Sequence, residues 1–239
     1  MKGLIAVITG ASGGIGNEIC RSLAKEGAEL VLFGGTNAQK LEDTVKRLKN
    51  EFKDISVRAY PCDLTDDNAV KELFAQAAER GVDVLINNAG VAHSSLVENT
   101  DMKTFDKIMS INFRAPVMII KEALPYLKRS ERADIVNIAS VVAHHGYPLQ
   151  SAYVASKHAL LGFTKSLAAE LYSENVRVHA ISPGGVYTDM IKVSRPDLTG
   201  EGMIMPEDVA EAVMFLLKNR TNAVIDEIIM HRANKQPFL

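Results

Sequence analysis

The chain has 239 residues, 47% hydrophobic and 23% charged, with a net charge of −2. That balance fits one large α/β domain or two small ones with a sizeable core, and it excludes a disordered chain and a basic nucleic-acid or membrane surface. Only two cysteines occur, Cys20 and Cys62. They read as small buried residues of a reducing compartment rather than a disulfide framework. After Met1-Lys2-Gly3 the apolar run Leu4–Ile8 is too short for a signal-peptide core or a bilayer span, so a cytoplasmic location is expected.

Apolar runs alternate with helix-period segments. Leu4–Thr9 predicts a buried strand ending at glycines, and Gly14–Glu26 a helix closed by Gly27. Strands follow at Glu29–Phe33 and Ser56–Pro61, with a charged amphipathic helix between them at Ala38–Glu51. Asp66–Glu79 predicts a helix, and Val84–Ile86 a strand running into Asn87-Asn88-Ala89-Gly90. A helical stretch runs from about Met102 to Lys128 with Pro116 inside it, which should break the helix or open a new one. Ile135–Ser140 is a strand, Ser151–Ser173 a helix, and Val176–Ile181 a strand before Ser182-Pro183-Gly184-Gly185. Pro206 opens a helix to Lys218, and Val224–Met230 is the last strand. This alternation predicts an α/β fold: a single-domain Rossmann arrangement of about seven parallel strands with helices on both faces. Without a linker composition anywhere, residues 1–239 read as one domain, with 188–205 as a mobile lid or substrate loop.

The first strand runs into Thr9-Gly10-Ala11-Ser12-Gly13-Gly14-Ile15-Gly16 and then a helix. Glycines at a strand–helix turn let backbone approach a pyrophosphate, and the helix N-terminus offers it free N–H groups. Without ligand the same string is only a tight turn; its position after the first strand favours the phosphate reading. The place of the ribose-binding carboxylate, about 20 residues on, is taken by Gly34-Gly35-Thr36. Nothing there would repel a 2′-phosphate, while Thr36, Asn37, Gln39 and Lys40 are within chain reach of one, so NADP is preferred over NAD.

Tyr153 and Lys157 lie four residues apart on one face of a predicted helix, thirteen residues after Ser140. A Tyr-x-x-x-Lys pair alone recurs by chance on surface helices. Together with the glycine loop it suggests a phenol whose pKa an ammonium lowers for acid–base work.

These motifs carry a family resemblance. The chain resembles a short-chain dehydrogenase/reductase over nearly its whole length, through TGASGGIG at 9–16, Asp63-Leu64, NNAG at 87–90, Asn112, Ser140, Tyr153-x-x-x-Lys157, and Pro183-Gly184 followed by Thr188. It is most similar to 3-oxoacyl-(acyl carrier protein) reductases and related bacterial carbonyl reductases. Its ending, Val224-Ile-Asp-Glu-Ile-Ile-Met-His-Arg-Ala-Asn, departs from their Gly-rich last strand, and Gly13 stands where an Arg or Lys often meets a 2′-phosphate.

The resemblance implies a nicotinamide cofactor held by Gly10, Ser12, Gly13, Gly14, Ile15 and Gly16, with Gly34, Gly35 and Thr36 at the adenosine ribose. Asp63 and Leu64 would meet the adenine, Asn87, Asn88, Ala89 and Gly90 the adenosine side, and Pro183, Gly184, Val186 and Thr188 the nicotinamide. Ser140 and Tyr153 would donate to a carbonyl oxygen, Lys157 would tune Tyr153 and bond the ribose, and Asn112 would hold a water of a proton relay. The reaction implied is hydride transfer to a ketone or aldehyde, or from a secondary alcohol. A cofactor-binding sensor and a sugar-nucleotide epimerase are the competing readings. The complete Asn112/Ser140/Tyr153/Lys157 set counts against the first, and the short chain and glycine spacing against the second.

A homotetramer or homodimer is implied as well, built on the helices near Met102 and Ser151 and the last strand, with the tail Pro237-Phe238-Leu239 free to pack on a neighbour. His93 and the pair His144-His145 read as pocket wall or exposed loop rather than metal ligands, and Met190, Met203 and Met205 as an adaptable apolar lid or ordinary core.

Overall fold

The run Ile5–Thr9 forms β1, and every residue of it is buried. In the computed structural model, which describes residues 1–194 and 199–235, β1 sits inside a seven-stranded parallel sheet. The other strands are β2 (Glu29–Gly34), β3 (Val57–Pro61), β4 (Val84–Asn87), β5 (Ala133–Ile138), β6 (Val176–Pro183) and β7 (Glu227–Met230), in the order β3-β2-β1-β4-β5-β6-β7. Strand side chains alternate between faces, so a sheet covered on both sides needs apolar residues at successive positions. Ala6, Ile8, Leu30 and Leu32 face α1 (Gly14–Lys25), α2 (Ala38–Glu51) and α8 (Pro206–Lys218). Val7, Val31 and Phe33 face α3 (Asp67–Ala77), α5 (Ala115–Leu127) and α6 (Ser151–Leu171). Phe33 meets Phe74 edge-to-face at 5.9 Å between ring centres, which ties β2 to α3.

After β3 the chain crosses back to place β4 against β1. This reversal opens a crevice at the carboxyl ends of β1 and β4, the position where open α/β sheets bind ligands.

The expected Rossmann arrangement is therefore present, and several boundaries move. The long helix does not break at Pro116. α4 (Met102–Met109) passes through one π-helical turn, Ser110–Arg114, into α5 with helical backbone angles on either side. The wider turn absorbs the residue that cannot donate, because proline has no N–H. Strand β5 stops at Ile138, so Ser140 lies beyond it and caps the short turn Val141–Ala143. Conversely β6 continues to Pro183. The segment expected as a loop contains α7 (Asp189–Ser194), and Ile204 returns to bridge with Val186. Residues 195–198 of that segment, including Pro196, lie outside the described residues, as does the tail Pro237-Phe238-Leu239. Among the described residues no helix is long and apolar enough to cross a membrane.

Candidate active site

A cleft of about 1200 Å³ follows the carboxyl ends of the strands, from Gly35 and Thr36 at one end to Ser140 and Tyr153 at the other. The loop after β1 forms its floor. Gly10 holds φ +63°, a conformation that disfavours any side chain, and a Cβ there would meet Ala89 Cα at 2.8 Å. Gly16 is tighter still, since a Cβ would fall 2.2 Å from the Gly10 carbonyl oxygen. The first turn of α1 thus packs directly on the loop and leaves the helix N-terminus, capped by Gly13, facing the cleft. Gly16→Ala should cost about 1–3 kcal/mol of stability by overpacking and displace the helix N-terminus. Thermal unfolding and dinucleotide titration check this, and unchanged binding would contradict the packing role of Gly16 beneath the loop.

Asn88 fastens this loop to β4. Its backbone N–H and that of Ala89 donate to Thr9 Oγ1, each at 3.0 Å, while its Nδ2 donates to the Thr9 and Gly10 carbonyls at 3.1 Å. Asn87, expected beside the adenosine, instead points into the interior and donates to Asn137 Oδ1 at 2.8 Å, which continues to Thr164 Oγ1. Strand alternation sends neighbouring side chains to opposite faces, so only one of the two asparagines can reach the loop. Gly34 also leaves the cleft wall, because it is pressed on Leu41; a Cβ at Gly34 would fall 2.9 Å from Leu41 Cδ2. Neither Ser12 nor Gly16 lines the cleft; Gly10, Gly13, Gly14, Ile15, Gly35 and Thr36 do.

At the adenosine end, Asp63 accepts from the Thr65 N–H at 2.9 Å and its hydroxyl at 2.7 Å. Those bonds hold its carboxyl below the usual range, so it is an anion at neutral pH. Lys40 also lines the cleft beside Thr36, with Nζ 3.5 Å from the Asp189 carboxylate at the start of α7.

At the other end α6 presents Tyr153 and Lys157 to the cleft. Lys157 is 4% exposed, and its Nζ donates to the Ile138 carbonyl at 2.8 Å. Its ammonium sits 5.8 Å from the Tyr153 ring centre. Burial brings the Lys157 ammonium down to about 8. Burial pushes the Tyr153 phenol up, and the Ser140 hydroxyl beside it pulls the other way. The expected lowering by Lys157 does not govern here, because burial of the phenol dominates. Ser140 Oγ donates to the Pro183 carbonyl at 3.3 Å and accepts from the Val142 N–H at 3.4 Å.

Asn112 is fully buried in the π turn. Its Oδ1 accepts from the Val91 N–H at 2.8 Å, and its Nδ2 donates to the Val91 carbonyl and to Ser156 Oγ. Both amide donors are thus committed, and the side chain clamps the β4 loop to α6 in place of holding a water with those donors. Pro183, Gly184, Val186 and Thr188 line the wall opposite α6, with Leu64, Ala89 and Gly90 also at the surface of the cleft.

His145 lines the cleft, whereas His144 pairs with Glu227 at 2.7 Å and His93 is exposed. Met190 and Met203 line it and Met205 caps α8. Among the described residues no group of His, Cys, Asp or Glu could hold a metal ion. Cys20 and Cys62 are free and buried, as expected. Sequence reasoning missed Asp106, Lys107, His231, Arg232 and Lys235, all on the cleft surface. They carry no motif and arrive from distant parts of the chain.

A glycine-floored crevice on a parallel sheet, with Tyr153 beside the buried Lys157 at its far end, defines a dinucleotide-binding oxidoreductase architecture. The sequence matches the family model for short chain dehydrogenase over residues 4–199. D-beta-hydroxybutyrate dehydrogenase of Rhizobium meliloti (strain 1021) is 36% identical over 214 residues, 87% of this chain and 81% of that protein. The 3-oxoacyl-(acyl-carrier-protein) reductase FabG of Rickettsia bellii (strain RML369-C) is 35% identical over 237 residues, 96% of this chain and 95% of that protein. The alcohol dehydrogenase of the archaeon Thermococcus sibiricus, solved with 5-hydroxy-NADP, superposes with a TM-score of 0.89 at 29% identity over 98% of both chains. The chain belongs to the short-chain dehydrogenase/reductase family and is an NAD(P)-dependent oxidoreductase.

Proposed function

We propose that the protein reduces a ketone or aldehyde with NADPH and, in reverse, oxidises the corresponding alcohol, secondary where the carbonyl is a ketone. The observation that carries this reading is the convergence of Ser140, Tyr153 and Lys157 on the end of the cleft flanked by Gly184 and Val186. When bound, the dinucleotide supplies a hydride to the carbonyl carbon. Negative charge then grows on the oxygen, where Ser140 and Tyr153 donate hydrogen bonds, and Tyr153 gives up its proton to leave an alcohol. Lys157 restores that proton through its ammonium and holds the ribose hydroxyls. The relay role assigned to Asn112 falls to its backbone carbonyl. Pro116, four residues on, has no N–H to occupy that oxygen.

The residues at the pyrophosphate and adenosine positions fit the cofactor. Gly10, Gly13 and Gly14 supply close backbone approach, Ile15 and Thr188 flank the turn, and Asp63 offers a carboxylate to the adenine amino group. NADP is preferred because Gly35 and Thr36 are followed by Lys40 on the same wall. Lys40→Ala should weaken NADPH about 10- to 100-fold and leave NADH unchanged, since a charge-assisted hydrogen bond is worth about 1.5–3 kcal/mol. Equal weakening of both, by fluorescence titration, would contradict the preference. A panel of ketones and aldehydes, followed by loss of nicotinamide absorbance, tests the reaction itself.

A cofactor sensor on the same fold is disfavoured, because a binding module gains nothing from burying the Lys157 ammonium beside the Tyr153 phenol. A reducing, cytoplasmic setting suits the two free thiols. The open edge of β7, where Ile229 is half exposed, supports assembly into a homodimer or homotetramer.

A further inference from the structure

The end of the cleft that holds Ser140 and Tyr153 also receives the chain that leaves β7. His231 and Arg232 follow the last strand residue, Met230, and both line the cleft. Two adjacent glycines let this segment close in. A Cβ at Gly184 would meet the Met230 carbonyl oxygen at 3.3 Å and His231 Cα at 3.7 Å. A Cβ at Gly185 would lie 3.9 Å from Arg232 Nε, so any larger side chain at 185 would fill the space in front of the guanidinium.

Arg232 is partly buried, and among the described residues its side chain has no hydrogen-bonding or ion-pair partner. That sets it apart from the other partly buried arginines described. Arg58 pairs with Glu29 at 3.0 Å and Arg220 with Asp134 at 2.9 Å. Arg132 donates to the Leu217 carbonyl, and Arg177 to the carbonyls of Thr221 and Ala223. An unpaired guanidinium at the wall of a cleft is free to take an anion, and its planar fork matches a carboxylate. His145 lines the same cleft, and its Nδ1 is shielded from solvent without a hydrogen-bond partner. A second polar group is therefore also waiting on the substrate side.

We infer that Arg232 binds a carboxylate carried by the substrate, which makes the substrate an oxo acid in the reductive direction and a hydroxy acid in the oxidative one. This rests on the carbonyl-reductase function proposed above and names the substrate class of that site. The position after β7, far from every motif, explains why no spacing pattern signals it.

The test compares 2-oxobutanoate, 3-oxobutanoate and 4-oxopentanoate with their methyl esters, using NADPH, in the full chain. One acid of the series should exceed its ester in kcat/KM by about 10- to 100-fold, the range of one charge-assisted hydrogen-bonded pair. Arg232→Gln should erase that preference by raising KM for the acid, and Arg232→Lys should keep part of it because the charge remains. NADPH affinity in both variants should match the parent. Equal loss for acid and ester, or weakened NADPH binding, would assign Arg232 to the fold or the cofactor and overturn the inference. So would turnover of neutral ketones with no acid preferred in the series. Bound NADPH with no carbonyl compound reduced at all would instead sink the reductase reading, and the carboxylate inference with it.

Discussion

Tyr153→Phe is expected to lower kcat by about 10²–10⁴-fold, the usual contribution of a positioned general acid, with dinucleotide affinity unchanged. The ring stays, so the packing of α6 against the cleft stays. Only the oxygen that donates to the developing alkoxide is lost. Ser140 would still stabilise charge, but the proton would have to come from water. Stopped-flow measurement of hydride transfer separates this chemical step from product release. A phenylalanine variant that turns over at the parental rate would remove Tyr153 from the mechanism.

Lys157→Met is expected to act on both activity and stability, and pH separates the two. The Lys157 ammonium titrates at about 8, against an ordinary value of 10.5, because burial penalises the charged form. Between those values the unfolded chain binds a proton that the folded chain does not, so unfolding free energy rises with pH across that window. Below it, the buried charge costs the fold about 3 kcal/mol. The methionine variant should lose this rise, which denaturant titrations at pH 7 and pH 10 would reveal as a flat difference. Turnover should fall by orders of magnitude, since the proton relay loses its cation. In the parent enzyme, turnover supported by the ammonium should fade as pH climbs through about 8. A variant with the parental pH slope in stability would show that Lys157 is not the buried base.

What the sequence discloses depends on whether a feature is local. The glycine loop and the Tyr153–Lys157 pair are written within a few residues, so their placement follows from one turn or one helix. The two-sided burial of the sheet was equally legible in the unbroken apolar strands. Asn87 and Asn88 were harder, since a single step in strand phase decides which one reaches Thr9. Pro116 offered a break or a new start, and the chain took a π turn, which depends on how Asn112 grips Val91 and Ser156. Gly34 looked like a ribose contact and is a packing contact, because Leu41 one turn into α2 fills the space. Arg232 was invisible, since what matters about it is that no partner reaches it among the described residues.

The strand order has a consequence for synthesis. β4 inserts beside β1 only after β2 and β3 have been laid on the far side. A nascent chain that has reached Pro61 still lacks the strand that pairs with the second edge of β1 and the asparagine that fastens the glycine loop. Asn88 and Ala89 then lock the loop, Tyr153 arrives on α6, and Arg232 comes last of all. A domain folds as a unit, so a chain interrupted before α6 lacks both the proton donor and the sheet neighbours that complete the cleft. Cofactor binding and proton donation are therefore acquired together, when the last strands close the sheet.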